Sequence, residues 1–362
     1  MVSIGGIKMK KILVVSTGGT ISQEHTDKGI AVSNDNSFKG TTFAGILNSF
    51  KKKLNIDTID SITISNKDSS NMISKDWELI VESIYDNYDN YDAFIVTHGT
   101  NTMGYSTAAV SFALGNLGKP IVFTGSQVSY GIPGSDAIMN LENILRVIIE
   151  NEELIGVFLV FGSKIITGTR VKKKTEFDYD AFKTFGRLPD IGYLGNSVII
   201  NTSALNIHLS HLGTKSRTKE GLDLKNKFDN NIISLTEFPG LKSEYIIKLA
   251  ENGVKGFILR ATGAGDPNVA PINADYPNLR EAFTYLQEHK IPIVVTTQAP
   301  DGVSSMSVNE PGILAKELGA IPAWDMSMET MVTKLSWLIA NGYEYEEIQK
   351  LMITSFRGEI DR

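Results

Sequence analysis

The feature that most limits how this chain can fold is a set of short apolar runs, rich in β-branched residues, separated by segments of helical spacing. The runs include KILVVS from Lys11, AFIVTH from Ala93 to His98, PIVFTG from Pro120 to Gly125 and IGVFLVF from Ile155 to Phe161. Continuous apolar runs of this length suit strands buried on both faces of a parallel sheet. Between them Trp77, Ile80, Val81 and Ile84, and then Leu141, Ile144, Leu145 and Ile148, recur at helical intervals. Alternation of this kind predicts parallel strands joined by crossover helices. From about Gly192 to Asn230 the chain turns polar and weakly periodic, after which the pattern resumes with NIISLTEF, KGFILRATG and PIVVTTQAP. We therefore expect an α/β protein. A larger N-terminal domain, residues 1–200, holds a mostly parallel sheet flanked by helices; residues 201–230 connect it to a smaller C-terminal α/β domain at 231–362. A chain of 362 residues accommodates two domains of ordinary size.

Composition narrows the function classes. The net charge of −6, with lysines dispersed apart from Lys51–Lys53 and Lys172–Lys174, supplies no field for a phosphate backbone, so no nucleic-acid partner is expected. The absence of cysteine rules out disulfides and thiolate metal sites and suits a reducing compartment. The N-terminal MVSIGGIKMKK lacks the apolar core of a secretory signal, and no apolar run approaches a membrane span, which places the expected location in the cytoplasm with no membrane partner. His25, His98, His208, His211 and His289 are scattered, and the His208/His211 pair has no carboxylates beside it, so no metal ligand set is expected.

In open parallel sheets ligands bind beyond the carboxyl ends of the strands. Three loops that follow apolar runs are rich in hydroxyls and glycines there: STGGT from Ser16, THGTNTMG from Thr97 and TGSQVS from Thr124. A threonine hydroxyl attacks a carbonyl carbon only when a base removes its proton, and neighbouring glycines let a substrate approach closely. Thr20, behind Gly18 and Gly19, has that setting, although GGT serves equally as a strand-to-helix turn with a capping threonine. In the second loop, Thr97, Thr100 and Thr102 crowd around His98, which reads as a hydrogen-bonded structural histidine more readily than as a general base. Neither a phosphate-binding G-x-x-x-x-G-K-[ST] nor a G-x-G-x-x-G fingerprint is present.

Taken in order, TGGTI, DSSNM (Asp68 to Met72), THGTNTM, TGSQ and GTRVKK (Gly168 to Lys173) resemble the bacterial-type L-asparaginase family, and DMSMETMVTKLSWLI (Asp325 to Ile339) resembles its cytoplasmic, type I branch. The resemblance runs over nearly the whole chain and implies an amidohydrolase that needs no cofactor. It implies that Thr20 is the nucleophile on a side-chain amide and that Thr100 and Lys173 form the proton relay. A desolvated lysine loses its proton near neutral pH and can draw one from a hydroxyl. Composition does not decide which of Lys172, Lys173 and Lys174 faces inward; the resemblance selects Lys173. It further implies that Ser69 holds the substrate α-carboxylate, that Ser70 lies beside it, and that Gly19 and the N–H groups of the Gly99 turn stabilise the oxyanion. Each pocket is expected to be completed by a neighbouring subunit in a homo-oligomer, a dimer of close dimers.

Three positions depart from the family pattern. Asn101 stands where an aspartate normally anchors the substrate α-ammonium group, Ile30 stands where a lid tyrosine is usual, and Asp266 in GAGD replaces an asparagine. The loss of a carboxylate at 101 and its gain at 266 reads either as a swap across one pocket or as two independent changes. The competing expectation is an amino-acid-binding protein of the same fold with weak or no catalysis.

Overall fold

The computed structural model describes residues 10–18, 23–26, 29–32, 37–38, 41–271, 273 and 275–361. In chain order its principal elements begin with β1 (Lys11–Gly18), α1 (Phe43–Lys53), β2 (Thr58–Lys67), α2 (Ser74–Asn87), β3 (Ala93–Thr97), α3 (Met103–Ala113), β4 (Pro120–Thr124) and α4 (Ala137–Glu150). There follow β5 (Gly156–Phe161), β6 (Lys164–Thr167), β7 (Val171–Lys173), β8 (Phe182–Thr184), β9 (Gly192–Leu194), β10 (Val198–Ile200) and α5 (Thr202–Ser210). The second half contains β11 (Ile232–Thr236), α6 (Ser243–Glu251), β12 (Gly256–Ala261), α7 (Arg280–Glu288), β13 (Ile293–Thr297), α8 (Glu310–Glu317), β14 (Ile321–Pro322), α9 (Met328–Ala340) and α10 (Tyr345–Met352).

The protein is α/β, and the chain divides into two compact units, residues 1–184 with 189–226, and residues 185–188 with 227–362. The first carries an eight-stranded sheet in the order β10-β9-β6-β5-β4-β3-β1-β2. The pairs β2/β1, β1/β3, β3/β4 and β4/β5 are parallel, while β6, β9 and β10 add an antiparallel edge. Every residue of β3, β4 and β5 is buried, the pattern of strands covered on both faces. Pro120 is accommodated because it stands first in β4, where its missing N–H interrupts the ladder least. One face packs on α4 through Leu141, Ile144, Leu145 and Ile148, the helical stripe legible in the sequence.

The stretch from 192 to 230, expected as a connection, folds with the first unit as far as Asn226. Its first residues form β9 and β10, and α5 buries Ala204 and Leu205 in the same core as α4. The helix has only nine residues and a short apolar stripe, too little for periodicity to announce it.

The second unit has a smaller, fully parallel sheet in the order β11-β12-β13-β14. Its core joins Phe257 and Leu259 of β12 to Ala282, Phe283 and Leu286 of α7. The C-terminal segment is fixed by a buried ion pair: Lys334 Nζ of α9 lies 2.6 Å from Glu359 Oε1, and neither side chain is exposed. Lys334 also donates to Thr354 O at 2.6 Å and lies 4.4 Å above the Phe356 ring, while Glu359 accepts from the backbone N–H groups of Phe356 and Arg357. Burial opposes ionisation of Glu359, but the Lys334 charge and these donors outweigh it and hold the carboxyl below its ordinary value.

Removing one member of such a pair leaves an uncompensated charge in the interior. Lys334→Met is expected to destabilise the second unit by about 3–5 kcal/mol in urea unfolding followed by tryptophan fluorescence, and Lys334→Met with Glu359→Leu is expected to recover most of that loss. A single variant as stable as the parent would contradict the role given to the pair.

Candidate active site

Four parallel strands, β1 to β4, end on the same side of the larger sheet, and the loops that leave β2, β3 and β4 meet there. Gly18, last in β1, has φ +95°, and a Cβ at that position would fall 2.6 Å from the Lys67 backbone N at the end of β2. Only glycine fits both the left-handed backbone and the close approach. Thr17 Oγ1 donates to Thr97 O at 3.1 Å, and Ser65 Oγ donates to Thr17 O at 2.8 Å, tying the ends of β1, β2 and β3 together. Gly19 and Thr20, which follow directly, lie outside the described residues. Ile30 is in a short strand, Gly29–Val32, whose backbone pairs it with His25.

The loop after β2 forms a single 3₁₀ turn, Ser69–Asn71, capped by Asp68, whose Oδ1 accepts from Ser70 N at 2.8 Å. It packs against the loop after β3 without room to spare, since a Cβ on Gly99 would meet Ser69 Oγ at 2.6 Å. Thr102 Oγ1 donates to Ser69 O at 2.8 Å, and Asn101 Nδ2 donates to Ser70 Oγ at 3.0 Å. Ser69 and Thr100 are buried, whereas Ser70 and Asn101 are open to solvent.

Lys173 closes the group. In β7 it is turned away from the face shared by Lys172 and Lys174, because successive side chains in a strand point to opposite sides. Its Nζ donates to Thr100 Oγ1 and to Asn101 Oδ1, each at 2.8 Å, while Lys174 Nζ pairs with Asp180 at 3.0 Å. Burial pushes the Lys173 amine below the usual lysine range, against the opposing pull of Glu176 and Asp68. Ser69, Ser70, Gly99, Thr100, Asn101 and Lys173 are thus brought together. Asp266 is in the second unit, where its Oδ2 accepts from Ala264 N at 3.1 Å and from Asn309 Nδ2 at 2.6 Å, stapling the turn that begins at Gly263.

Of two further side chains at the same strand ends, the sequence named Thr97 only for its place beside His98 and did not single out Ser126. The hydroxyls of Thr97 and Ser126 are buried and find no hydrogen-bond partner among the described residues. Buried polar groups left unsatisfied are uncommon in native proteins. Their signal in the sequence is the hydroxyl directly at, or one glycine beyond, the end of an apolar run. Asp136 supports Ser126 by accepting from the backbone N–H groups of Gln127 and Val128 at 3.0 Å. Among the described residues no cluster of three or more His, Asp or Glu side chains could hold a metal ion, and no helix is long and apolar enough to cross a membrane.

His98 is fully buried behind this loop. Its Nδ1 lies 2.7 Å from Gly99 O and its Nε2 lies 2.8 Å from Ser106 Oγ, so a neutral ring donates to the carbonyl and accepts from the hydroxyl. Both ring nitrogens are occupied in holding the loop, as expected of a structural histidine.

Compared with known proteins, residues 11–206 match the family model described as Asparaginase, N-terminal, and residues 231–352 match Glutaminase/Asparaginase C-terminal domain. The chain is 34% identical to L-asparaginase of Thermococcus kodakarensis, over 97% of this chain and 99% of that one. It is 28% identical to a glutamyl-tRNA(Gln) amidotransferase subunit of Pyrococcus abyssi, over 97% of this chain and 77% of the relative. Among solved structures, L-asparaginase I of Vibrio cholerae superposes with a TM-score of 0.82 at 28% identity, covering 98% of this chain and 100% of that one.

Burial lowers the His98 pKa to about 4 from an ordinary 6.5. The unfolded chain therefore binds a proton that the folded chain refuses between those values, and stability falls as pH drops from 6.5 towards 4. The loss attributable to His98 is on the order of 3 kcal/mol across that window. Unfolding midpoints measured against pH should show this acid slope, and His98→Gln should flatten it; an unchanged slope in the variant would remove His98 as its source.

Proposed function

The chain belongs to the asparaginase family and is an amidohydrolase of that family; from that premise we propose that it hydrolyses L-asparagine, or a related side-chain amide, with Thr20 as the nucleophile. The observation that carries the mechanism is the 2.8 Å contact between Lys173 Nζ and Thr100 Oγ1 in a half-buried position. There an amine of lowered basicity can take a proton from one hydroxyl, which in turn takes it from the attacking one. The Thr20 oxygen bonds to the amide carbon, the relayed proton goes to the departing nitrogen, and ammonia leaves an acyl ester. Water, deprotonated by the same relay, cleaves that ester to the acid and restores the Thr20 hydroxyl. Backbone N–H groups at Gly19 and Gly99 are suited to the oxyanion, and Ser69 and Ser70 to the substrate carboxylate. No bound cofactor enters these steps.

Asparagine is favoured because relatives covered almost end to end are named L-asparaginase. A related amide stays within the proposal because other relatives are named as an amidotransferase subunit. The cytoplasmic location and a homo-oligomer in which a neighbouring subunit supplies Asp266 belong to the same reading. The competing reading, a silent binding protein, draws on Ile30 and Asn101.

Ammonia release from purified protein offered L-asparagine, L-glutamine, D-asparagine and short asparaginyl peptides distinguishes them, and release from none of the four would favour the binding reading. Thr20→Ala is expected to abolish turnover and leave the fold intact. Thr100→Val and Lys173→Met are each expected to lower kcat by about 100-fold or more, and the double variant little further, because a relay acts as a unit. Near-parental turnover in Thr20→Ala would refute the nucleophile assignment.

A further inference from the structure

At the end of the larger sheet opposite the hydroxyl-rich loops, the amino ends of β1, β3, β4 and β5 border a cavity of about 240 Å³. Part of its lining is apolar: Pro120, first in β4, and Leu154, just before β5, are both buried. The rest carries charges of both signs. Lys10 and Asp92, which directly precede β1 and β3, are half-buried. Glu152, after α4, and Arg217, in the loop after α5, are exposed.

These four charges do not pair with one another. Lys10 Nζ donates to Ile148 O, Asp92 Oδ2 accepts from Lys11 N at 3.0 Å, and Arg217 Nη1 donates to Gly118 O at 3.1 Å. Those bonds leave the second Asp92 oxygen and the remaining Arg217 N–H groups open, and the Glu152 carboxylate takes no hydrogen bond among the described residues. Burial pushes the Lys10 amine below the usual lysine range and Arg217 adds to that, against the pull of Glu152 and Asp92. The carboxylates facing Lys10 are therefore too distant to offset its burial.

We infer that this cavity is a binding site for a small zwitterion, a compound with an amine and a carboxylate on a short chain, separate from the amidase site. A simple anion entering it meets Asp92 and Glu152, and a simple cation meets Lys10 and Arg217, so like charges oppose both. A zwitterion satisfies the two signs together. Its carboxylate accepts charge-assisted hydrogen bonds from Lys10 and Arg217, and its ammonium donates to Asp92 and Glu152. The methylenes between them face Pro120 and Leu154. The cavity is smaller than the roughly 300–1,000 Å³ of pockets that hold drug-sized ligands, which limits the occupant to the size of a small amino acid.

The test uses the whole purified protein with glycine, β-alanine and 4-aminobutyrate as probes, and with propionate and propylamine as single-charge controls. Binding is read at the cavity by the assigned methyl NMR signals of Leu154, and overall by calorimetry. The expected result is that at least one zwitterion shifts the Leu154 signals saturably at millimolar concentration, and that neither control does. Glu152→Gln and Arg217→Gln, each checked for folding by its thermal unfolding midpoint, are expected to weaken that binding by about tenfold or more. Both variants should release ammonia as the parent does, because neither position is in the loops at the carboxyl ends of the strands. Leu154 signals that none of the three zwitterions moves would overturn the inference. An equal response to propionate or propylamine, or undiminished affinity in both variants, would overturn it as well. The Leu154 readout does not depend on amide hydrolysis, so this site and the proposed reaction stand or fall separately.

Discussion

Strands β3, β4 and β5 are buried along their whole length, and this constraint shapes the rest of the first unit. A strand covered on both faces can carry only apolar or internally bonded side chains, so every polar function must wait for its carboxyl end. Thr97 and Thr124 mark that limit: each is the last residue of its strand, and Thr124 Oγ1 returns to Val160 O at 2.8 Å. Beyond it the backbone is free to turn, and the hydroxyl-rich loops begin.

How those loops are packed follows from glycine. Gly125 would place a Cβ 2.3 Å from His98 O, and Gly99 would place one 2.6 Å from Ser69 Oγ. The three loops therefore pack at distances that no larger residue permits. His98 locks the middle loop from below, its ring bonded at both nitrogens. Thr100 and Asn101 are consequently presented by a support that is bonded from both sides.

Lys173 arrives by a different route, on a two-stranded ladder after the sheet has changed from parallel to antiparallel. A lysine there is buried enough to have its basicity reduced and close enough to two oxygens to be held. Asp266 also acts locally, since its Oδ2 closes the turn after β12 inside its own unit.

The sequence by itself determined the α/β class, the parallel strands and the helices that cover them, because continuous apolar runs and stripes at helical intervals report burial directly. It also marked the loop that carries Thr100 and Asn101, because hydroxyls and glycines gather there directly after an apolar run, whereas Ser69 and Ser70 were picked out only by the family resemblance. Tertiary structure alone decided the rest. That β9, β10 and α5 join the first unit depended on Ala204 and Leu205 finding the α4 face, too few contacts to leave a period. That Lys173, and not Lys172 or Lys174, reaches Thr100 depended on the phase of a three-residue strand, which a run of identical side chains cannot reveal. The orientation of the Asn101 amide was set by Ser70, which is thirty-one positions earlier in the chain and adjacent only after folding.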